Sequence, residues 1–249
     1  MMRAGGLRYQ LLPVPPELFD ETVRALAAAG FGGANVTIPH KEAALALATE
    51  ATEAAQAIGA ANTLTFGPPL GRIHAANTDA PGLLETLAGR PLGSALVLGA
   101  GGSARAAAWA LRTAGAQVRV WNRTPDRAAR LAADLEVKAT VTAVPADVLV
   151  NCTSVGLHDP SMTFKALPVA ADALREYVTV VDLVPRPGGT ALVREARRRG
   201  VHSVDGLEVL VRQGALSLAA WTGWEAPIDS MRRAARKPEG DDHGTGAPR

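Results

Sequence analysis

Short β-branched or apolar runs alternate with Ala-rich stretches of helical period along most of the chain. In the first half, Leu7–Val14 predicts a strand and Pro15–Ala29 a helix opened by proline and closed at Gly30. Ala34–Ile38 predicts a short strand ended by Pro39. His40–Ala48 and Thr52–Ile58 read as helices, and Asn62–Phe66 and Arg72–Ala76 as strands around a Gly-Pro-Pro turn. Ala80–Ala88 completes this half as a helix, and the polar connector Gly89–Gly93 marks a boundary. The pattern then restarts. Ser94–Leu98 is an apolar strand, Gly99–Gly102 a glycine turn, Ser103–Ala114 an Ala-rich helix, Gln117–Asn122 a strand and Pro125–Leu135 a helix. Further strands are expected at Val137–Val141, Asp147–Asn151 and Val178–Leu183, and helices at Thr190–Arg199 and Leu207–Trp221. Lys237–Arg249 is polar and rich in Gly and Pro, and predicts a disordered tail. No internal repeat is found.

Strand–helix alternation of this kind predicts an α/β fold with a parallel sheet and right-handed crossovers, and 249 residues suffice for one large domain or two small ones. A chain that is 47% hydrophobic and 20% charged is not disordered as a whole. The 26 basic and 24 acidic residues leave a net charge of +2, and no Lys/Arg block suggests a nucleic-acid groove. A single cysteine, Cys152, excludes an internal disulfide and a Cys-based zinc cluster and fits a reducing compartment. No run reaches the roughly 18 apolar residues of a membrane span, and MMRAGGLRYQ lacks the apolar core of a signal peptide. A cytoplasmic protein is therefore expected. Only four of the 26 basic residues are lysines (Lys41, Lys138, Lys165 and Lys237), so each lysine merits inspection.

The segment Val97-Leu98-Gly99-Ala100-Gly101-Gly102-Ser103-Ala104-Arg105 leaves a strand and opens a helix, the context of a dinucleotide-binding turn. Glycines let backbone N–H groups approach a pyrophosphate, and the helix N-terminus adds partial positive charge. An ordinary glycine-rich turn is the plain alternative. The next strand ends in Asn122-Arg123-Thr124, with Arg127 one helical turn on. An NAD site usually carries a carboxylate there; a guanidinium instead pairs with a 2′-phosphate, which points to NADP. The alternative at this place is a solvated arginine.

Three segments of the first half are unusually polar for strand ends: Asn35-Val36-Thr37-Ile38-Pro39-His40-Lys41, Gly59-Ala60-Ala61-Asn62-Thr63 and Asn77-Thr78-Asp79. Lys41 with Asp79 would set a proton donor beside a carboxylate, able to move a proton at an oxygen while a hydride moves at its carbon. Taken singly, these residues could be a surface lysine, a helix cap at Asp79 and turn residues. The scattered His40, His74, His158, His202 and His243 have no metal-ligand spacing. Cys152 reads as a core residue, and Trp109, Trp221 and Trp224 read as core or domain-contact residues.

These segments, with Asn-Thr-Asp-Ala-Pro-Gly, Asn-Arg-Thr, Asn-Cys-Thr-Ser-Val-Gly, Asp205-Gly206-Leu207 and Gln213-Gly214-Ala215, give the chain a close resemblance to the shikimate dehydrogenase family from about Leu7 to Arg236. The resemblance implies an α/β fold of two domains: an incomplete N-terminal α/β substrate domain (1–90) and a Rossmann-like NADP-binding domain (91–206). C-terminal helices (207–236) would return toward the first domain, ahead of the tail (237–249). It implies NADP-dependent reduction of 3-dehydroshikimate to shikimate, with Lys41 as the catalytic lysine and Asp79 its acidic partner. Thr37, Asn62 and Gln213 would bind the substrate hydroxyls. Gly99, Ala100, Gly101, Gly102 and Ser103 would hold the pyrophosphate, and Asn122, Arg123, Thr124 and Arg127 the 2′-phosphate end. Thr153, Ser154 and Gly206 would line the nicotinamide side. The expected partner is this small substrate, with no nucleic acid or membrane, and a homodimer is left open.

Two features depart from the family. Its members begin with a βα unit carrying a Ser-x-Ser pair for the substrate carboxylate; this chain opens at what resembles their second strand, which predicts a shortened start. Where many members have a tyrosine after Asp-Leu-Val, this chain has Pro185. A quinate or amino-shikimate dehydrogenase, and a non-catalytic NADP-binding module, are the alternative readings.

Overall fold

The computed structural model describes residues 2–4, 7–68 and 71–237. His243 and all of the expected tail except Lys237 lie outside these residues, as does Pro69 of the Gly-Pro-Pro turn. Two α/β units follow one another. The first contains β1 (Met2–Ala4), β2 (Leu7–Tyr9), α1 (Phe19–Ala28), β3 (Gly33–Asn35), α2 (Lys41–Leu47), β4 (Glu50–Ala51), α3 (Glu53–Ile58), β5 (Thr63–Gly67), β6 (Arg72–Ala76) and α4 (Asp79–Thr86). The second runs through β7 (Ser94–Leu98), α5 (Gly102–Thr113), β8 (Gln117–Trp121), α6 (Pro125–Asp134), β9 (Lys138–Ala139) and β10 (Ala146–Asn151). It continues with α7 (Thr163–Ala166), β11 (Tyr177–Asp182), α8 (Ala191–Arg198) and β12 (His202–Val204), and α9 (Gly206–Thr222) and α10 (Ile228–Ala235) follow.

The second unit is a six-stranded, all-parallel sheet of order β12-β11-β10-β7-β8-β9. Strand order reverses between β7 and β10, so the loops leaving these two strands diverge and open a crevice at their C-terminal ends. Alternate residues of β7 serve opposite layers. Ala95 and Val97 pack with Ala107, Leu111 and Leu131, whereas Leu96 and Leu98 pack with Leu149, Leu192 and Ala196. Burial on both faces explains why this strand reads as an unbroken apolar run.

The first unit has a mixed sheet of order β3-β5-β6-β4, in which β5 and β6 form an antiparallel hairpin. Its core gathers Phe19, Val23, Val36, Leu64, Phe66 and Ile73. The strand expected over Leu7–Val14 contracts to β2, paired with β1; Pro13, Pro15 and Pro16 remove the N–H donors a longer ladder needs. The strand expected over Ala34–Ile38 is likewise reduced to β3, and Val137–Val141 to β9. Trp224 is 54% exposed and belongs to no core, contrary to expectation. Trp221 does join the units, donating its indole N–H to the Leu64 carbonyl at 2.9 Å.

The units meet along a seam of small side chains. Ile58, Ala60, Ala80, Ala106 and Ala110 form one buried cluster drawn from α3, the turn after it, α4 and α5. Arg105 crosses the seam, donating to the Ile58 carbonyl at 2.5 Å and to Asp134 at 2.8 Å. Helix α9 crosses α4 at Gly82, where a Cβ would lie 2.9 Å from the Gln213 nitrogen. Its first residue, Gly206, is equally confined: a Cβ there would come within 2.4 Å of the Val184 carbonyl oxygen. Gly206→Ala must therefore displace backbone, and its expected cost is about 3 kcal/mol of unfolding free energy, read from urea denaturation. An unchanged midpoint would contradict this packing.

Candidate active site

Lys41 is the first residue of α2 and only 8% exposed. The turn before it is fixed from two sides: the His40 ring stacks on Phe19 at 4.6 Å, and its Nε2 lies 2.9 Å from the Val14 carbonyl oxygen. A cation at a helix N-terminus opposes the helix dipole, so a buried one there needs a close anion. Asp79 supplies it: Lys41 Nζ donates to Asp79 Oδ2 at 2.6 Å. Asp79 opens α4, where the dipole favours a carboxylate. The capping contact of α4 comes from Asn77, whose Oδ1 accepts from the Ala80 nitrogen at 3.2 Å. Asp79 is thus relieved of the capping role and turned toward its lysine.

Asn62 extends this pair into a network. Its amide donates to Asp79 Oδ1 at 2.9 Å, to Gln213 Oε1 at 3.0 Å and to Thr78 Oγ1 at 3.0 Å. Four of the residues singled out in the sequence, Lys41, Asp79, Asn62 and Gln213, are therefore linked directly. Behind them Ser217 of α9 is buried among Asn35, Thr63 and Thr78, at 2.9, 2.8 and 3.2 Å from their polar atoms. Sequence reasoning missed Ser217, whose only signal is its place one helical turn after Gln213. Thr37 stands apart: it is exposed, and its hydroxyl makes no hydrogen bond among the described residues.

The glycine turn lies at the reversal of strand order. Gly99 adopts φ +116°, a conformation that favours glycine, and its Cβ position faces the Cys152 backbone at 3.3 Å. Gly101 borders open space, whereas the space beside Gly102 is taken by Lys41, whose Cβ lies 2.9 Å from a Cβ built there. The missing side chain at Gly102 therefore serves the approach of the two units, and only its backbone N–H remains for a phosphate. Ser103 adds a second contact across the same approach: its hydroxyl accepts from Lys41 Nζ at 2.9 Å. The side-chain position of Gly206 faces the Leu183–Val184 backbone, so no larger residue fits there. Asn122 donates to the Thr124 carbonyl at 3.0 Å. Arg123, Thr124 and Arg127 are exposed, and neither arginine has a carboxylate partner among the described residues. An open glycine, the N-terminus of a twelve-residue helix and two unpaired guanidinium groups fit the diphosphate and 2′-phosphate of NADP.

The opposite wall of the crevice is held by a buried carboxyl. Asp182, fully buried at the end of β11, accepts from Asn151 Nδ2 at 2.9 Å, Thr190 Oγ1 at 2.5 Å and the Val184 nitrogen at 3.1 Å. Asn151 in turn accepts from the backbone and hydroxyl of Thr153, at 3.1 and 2.7 Å. Thr153 is thus held from beneath, while Ser154 is exposed. Burial pushes the Asp182 carboxyl up to about 6, and the three donors only partly oppose it. Burial also pushes the Cys152 thiol up, which suits a core residue rather than a nucleophile.

A parallel sheet with a glycine turn at its strand-order reversal, facing a buried lysine–carboxylate pair on a second α/β unit, is the arrangement of a nucleotide-dependent oxidoreductase. Residues 4–64 match the shikimate dehydrogenase substrate binding domain, residues 87–210 the shikimate / quinate 5-dehydrogenase family and residues 206–236 the shikimate 5′-dehydrogenase C-terminal domain. The chain is 46% identical to the shikimate dehydrogenase (NADP(+)) of Thermus thermophilus over 93% of its own length and 88% of that protein's. It is 42% identical to the Methanopyrus kandleri enzyme of that name, over 92% and 85% of the two lengths. Among solved structures, shikimate 5-dehydrogenase from Thermus thermophilus in complex with NADP(H) and shikimate superposes with a TM-score of 0.81 at 46% identity, over 90% and 85% of the chains. The 5-ketofructose reductase of a Gluconobacter strain gives 0.75 at 30% identity, over 90% and 85%. The chain belongs to the shikimate dehydrogenase family.

The raised pKa of Asp182 has a signed consequence. Between the unfolded carboxyl value, about 4, and the folded value of about 6, the folded protein holds a proton that the unfolded chain releases. This contribution is complete at low pH and is lost as pH rises through about 6. Asp182→Asn removes the titration. Wild-type stability should then fall between pH 4 and pH 7 by roughly 2 kcal/mol more than that of the variant. Denaturant midpoints across that range check this; parallel curves would contradict it.

Proposed function

We propose that this protein reversibly reduces 3-dehydroshikimate to shikimate with NADPH. The buried Lys41–Asp79 pair, set against the glycine turn of the other unit, carries this reading. We assign residues 1–90 to the substrate, 91–206 to the dinucleotide and 207–236 to helices that return to the first unit; Gln213 of α9, hydrogen-bonded to Asn62, supports the last assignment. Gly99, Ala100, Gly101, Gly102 and Ser103 would present N–H groups to the diphosphate, and Asn122, Arg123, Thr124 and Arg127 would hold the 2′-phosphate. Thr153, Ser154 and Gly206 are assigned to the nicotinamide side. When bound, the dinucleotide supplies or takes up the hydride.

Lys41 as an ammonium polarises the substrate carbonyl and gives a proton to the oxygen as negative charge develops there. Asp79 holds that ammonium, and Asn62 and Gln213, joined to it in one network, are assigned to the ring hydroxyls. Thr37 at the exposed rim is assigned to the same substrate. The reading as a non-catalytic NADP-binding module gives no reason to keep a lysine and a carboxylate out of water. Pro185 in place of a tyrosine favours testing quinate as the competing substrate. The single cysteine supports a cytoplasmic location, and sedimentation reads whether the chain is a monomer or a homodimer.

The test is reduced-nicotinamide absorbance with NADP and either shikimate or quinate. A rate with shikimate is expected; a rate with quinate alone would replace the substrate, and no rate with either would remove the activity. Lys41→Ala should lower kcat by about a hundredfold or more and leave NADPH binding unchanged; a parallel loss of binding would make Lys41 structural. Arg123→Ala should weaken NADP about tenfold and leave NAD unaffected, and equal losses would remove the 2′-phosphate assignment.

A further inference from the structure

The Lys41 amine is held by more than its carboxylate. Around its tetrahedral nitrogen, one position is the bond to Cε, a second points to Asp79 Oδ2 at 2.6 Å and a third to Ser103 Oγ at 2.9 Å. Asp79 belongs to α4 of the first unit, but Ser103 lies in the opening turn of α5, on the dinucleotide side. A single carboxylate fixes the distance to an ammonium yet lets it spin about the Cε–Nζ bond, since its three N–H donors are equivalent. A second acceptor stops that rotation. Exactly one position then remains for a substrate oxygen, as a third N–H when the amine is protonated and as a lone pair when it is not.

We propose that Ser103 is a positioning residue that aims the free position of the Lys41 amine at the reacting oxygen and ties that aim to the approach of the two units. The inference rests on the reading of Lys41 as the proton donor. Three observations carry it. The Ser103 hydroxyl has no other hydrogen-bond partner among the described residues. Gly102 lets the lysine stem lie against the same helical turn. Arg105, two residues on, holds that turn to the Ile58 carbonyl of the first unit. The backbone N–H of Ser103 stays available for a phosphate, so its side chain and main chain do separate work.

Ser103→Ala and Ser103→Thr, measured by steady-state kinetics and by NADPH titration, test the proposal. Ser103→Ala should lower kcat about tenfold with the KM for shikimate and the affinity for NADPH unchanged, and Ser103→Thr, which keeps the hydroxyl, should restore most of the rate. An unchanged kcat, or a loss confined to NADPH affinity, would overturn the proposal and return the side chain to the phosphate. If the wild-type chain turns over neither shikimate nor quinate, the proposed function fails separately. Ser103 is then read from the ammonium resonance of Lys41 in nitrogen-15-labelled protein. Faster proton exchange in Ser103→Ala supports the contact, and equal exchange overturns it.

Discussion

Most of the site depends on one close approach, that of α2 to the first turn of α5. Because residue 102 has no side chain, the stem of Lys41 can lie where a Cβ would stand, and the two units can share a lysine. Around that point the seam uses the smallest side chains available, Ala60, Ala80, Ala106 and Ala110. A methyl group is small enough to let helices pack backbone to backbone and still excludes water. The same economy recurs at Gly82, where α9 crosses α4 closely enough for Gln213 to reach Asn62. The geometry of the Lys41–Asp79 pair and of its link to Gln213 is thus set by residues too small to hold the helices apart.

Charge is handled in opposite ways on the two walls of the crevice. On the first unit a buried cation meets a carboxylate, with Asn62 satisfying the carboxylate's second oxygen. On the second a buried carboxyl meets three hydrogen-bond donors and, among the described residues, no cation within ion-pair distance, and burial raises its pKa. The first arrangement leaves a group able to exchange a proton with a ligand. The second is a structural knot, tying the loops that follow β10 and β11 to each other.

Much of this was legible in the sequence for identifiable reasons. The strand Ser94–Leu98 coincides with β7 because burial on both faces makes an apolar run that few other structures permit. The glycine turn was legible because its backbone conformation and close contacts demand glycine. Lys41 stood out because the chain has so few lysines. Less visible were features made by tertiary pairing. The short strands β4 and β12 carry little period of their own and exist through their neighbours β6 and β11. Helix α10 escaped the pattern reading, although Arg232 pins it to Glu208 at 2.8 Å and Arg236 to Asp205 at 2.9 Å. The contacts that Gly102 and Ser103 make with Lys41 were not legible, because a motif names a residue without saying what its side chain faces.

The buried lysine also bears on how far this sequence can drift. The chain has shifted heavily toward arginine, and the three exposed lysines, Lys138, Lys165 and Lys237, stand where a guanidinium would be equally at home in water. Position 41 is different. An arginine there would grip Asp79 with two parallel hydrogen bonds, be too broad for the space beside Gly102, and keep its proton at any pH the cell reaches. The substitution that composition most favours is the one this position can least accept, so Lys41 marks a fixed point in a chain whose other lysines are free to change.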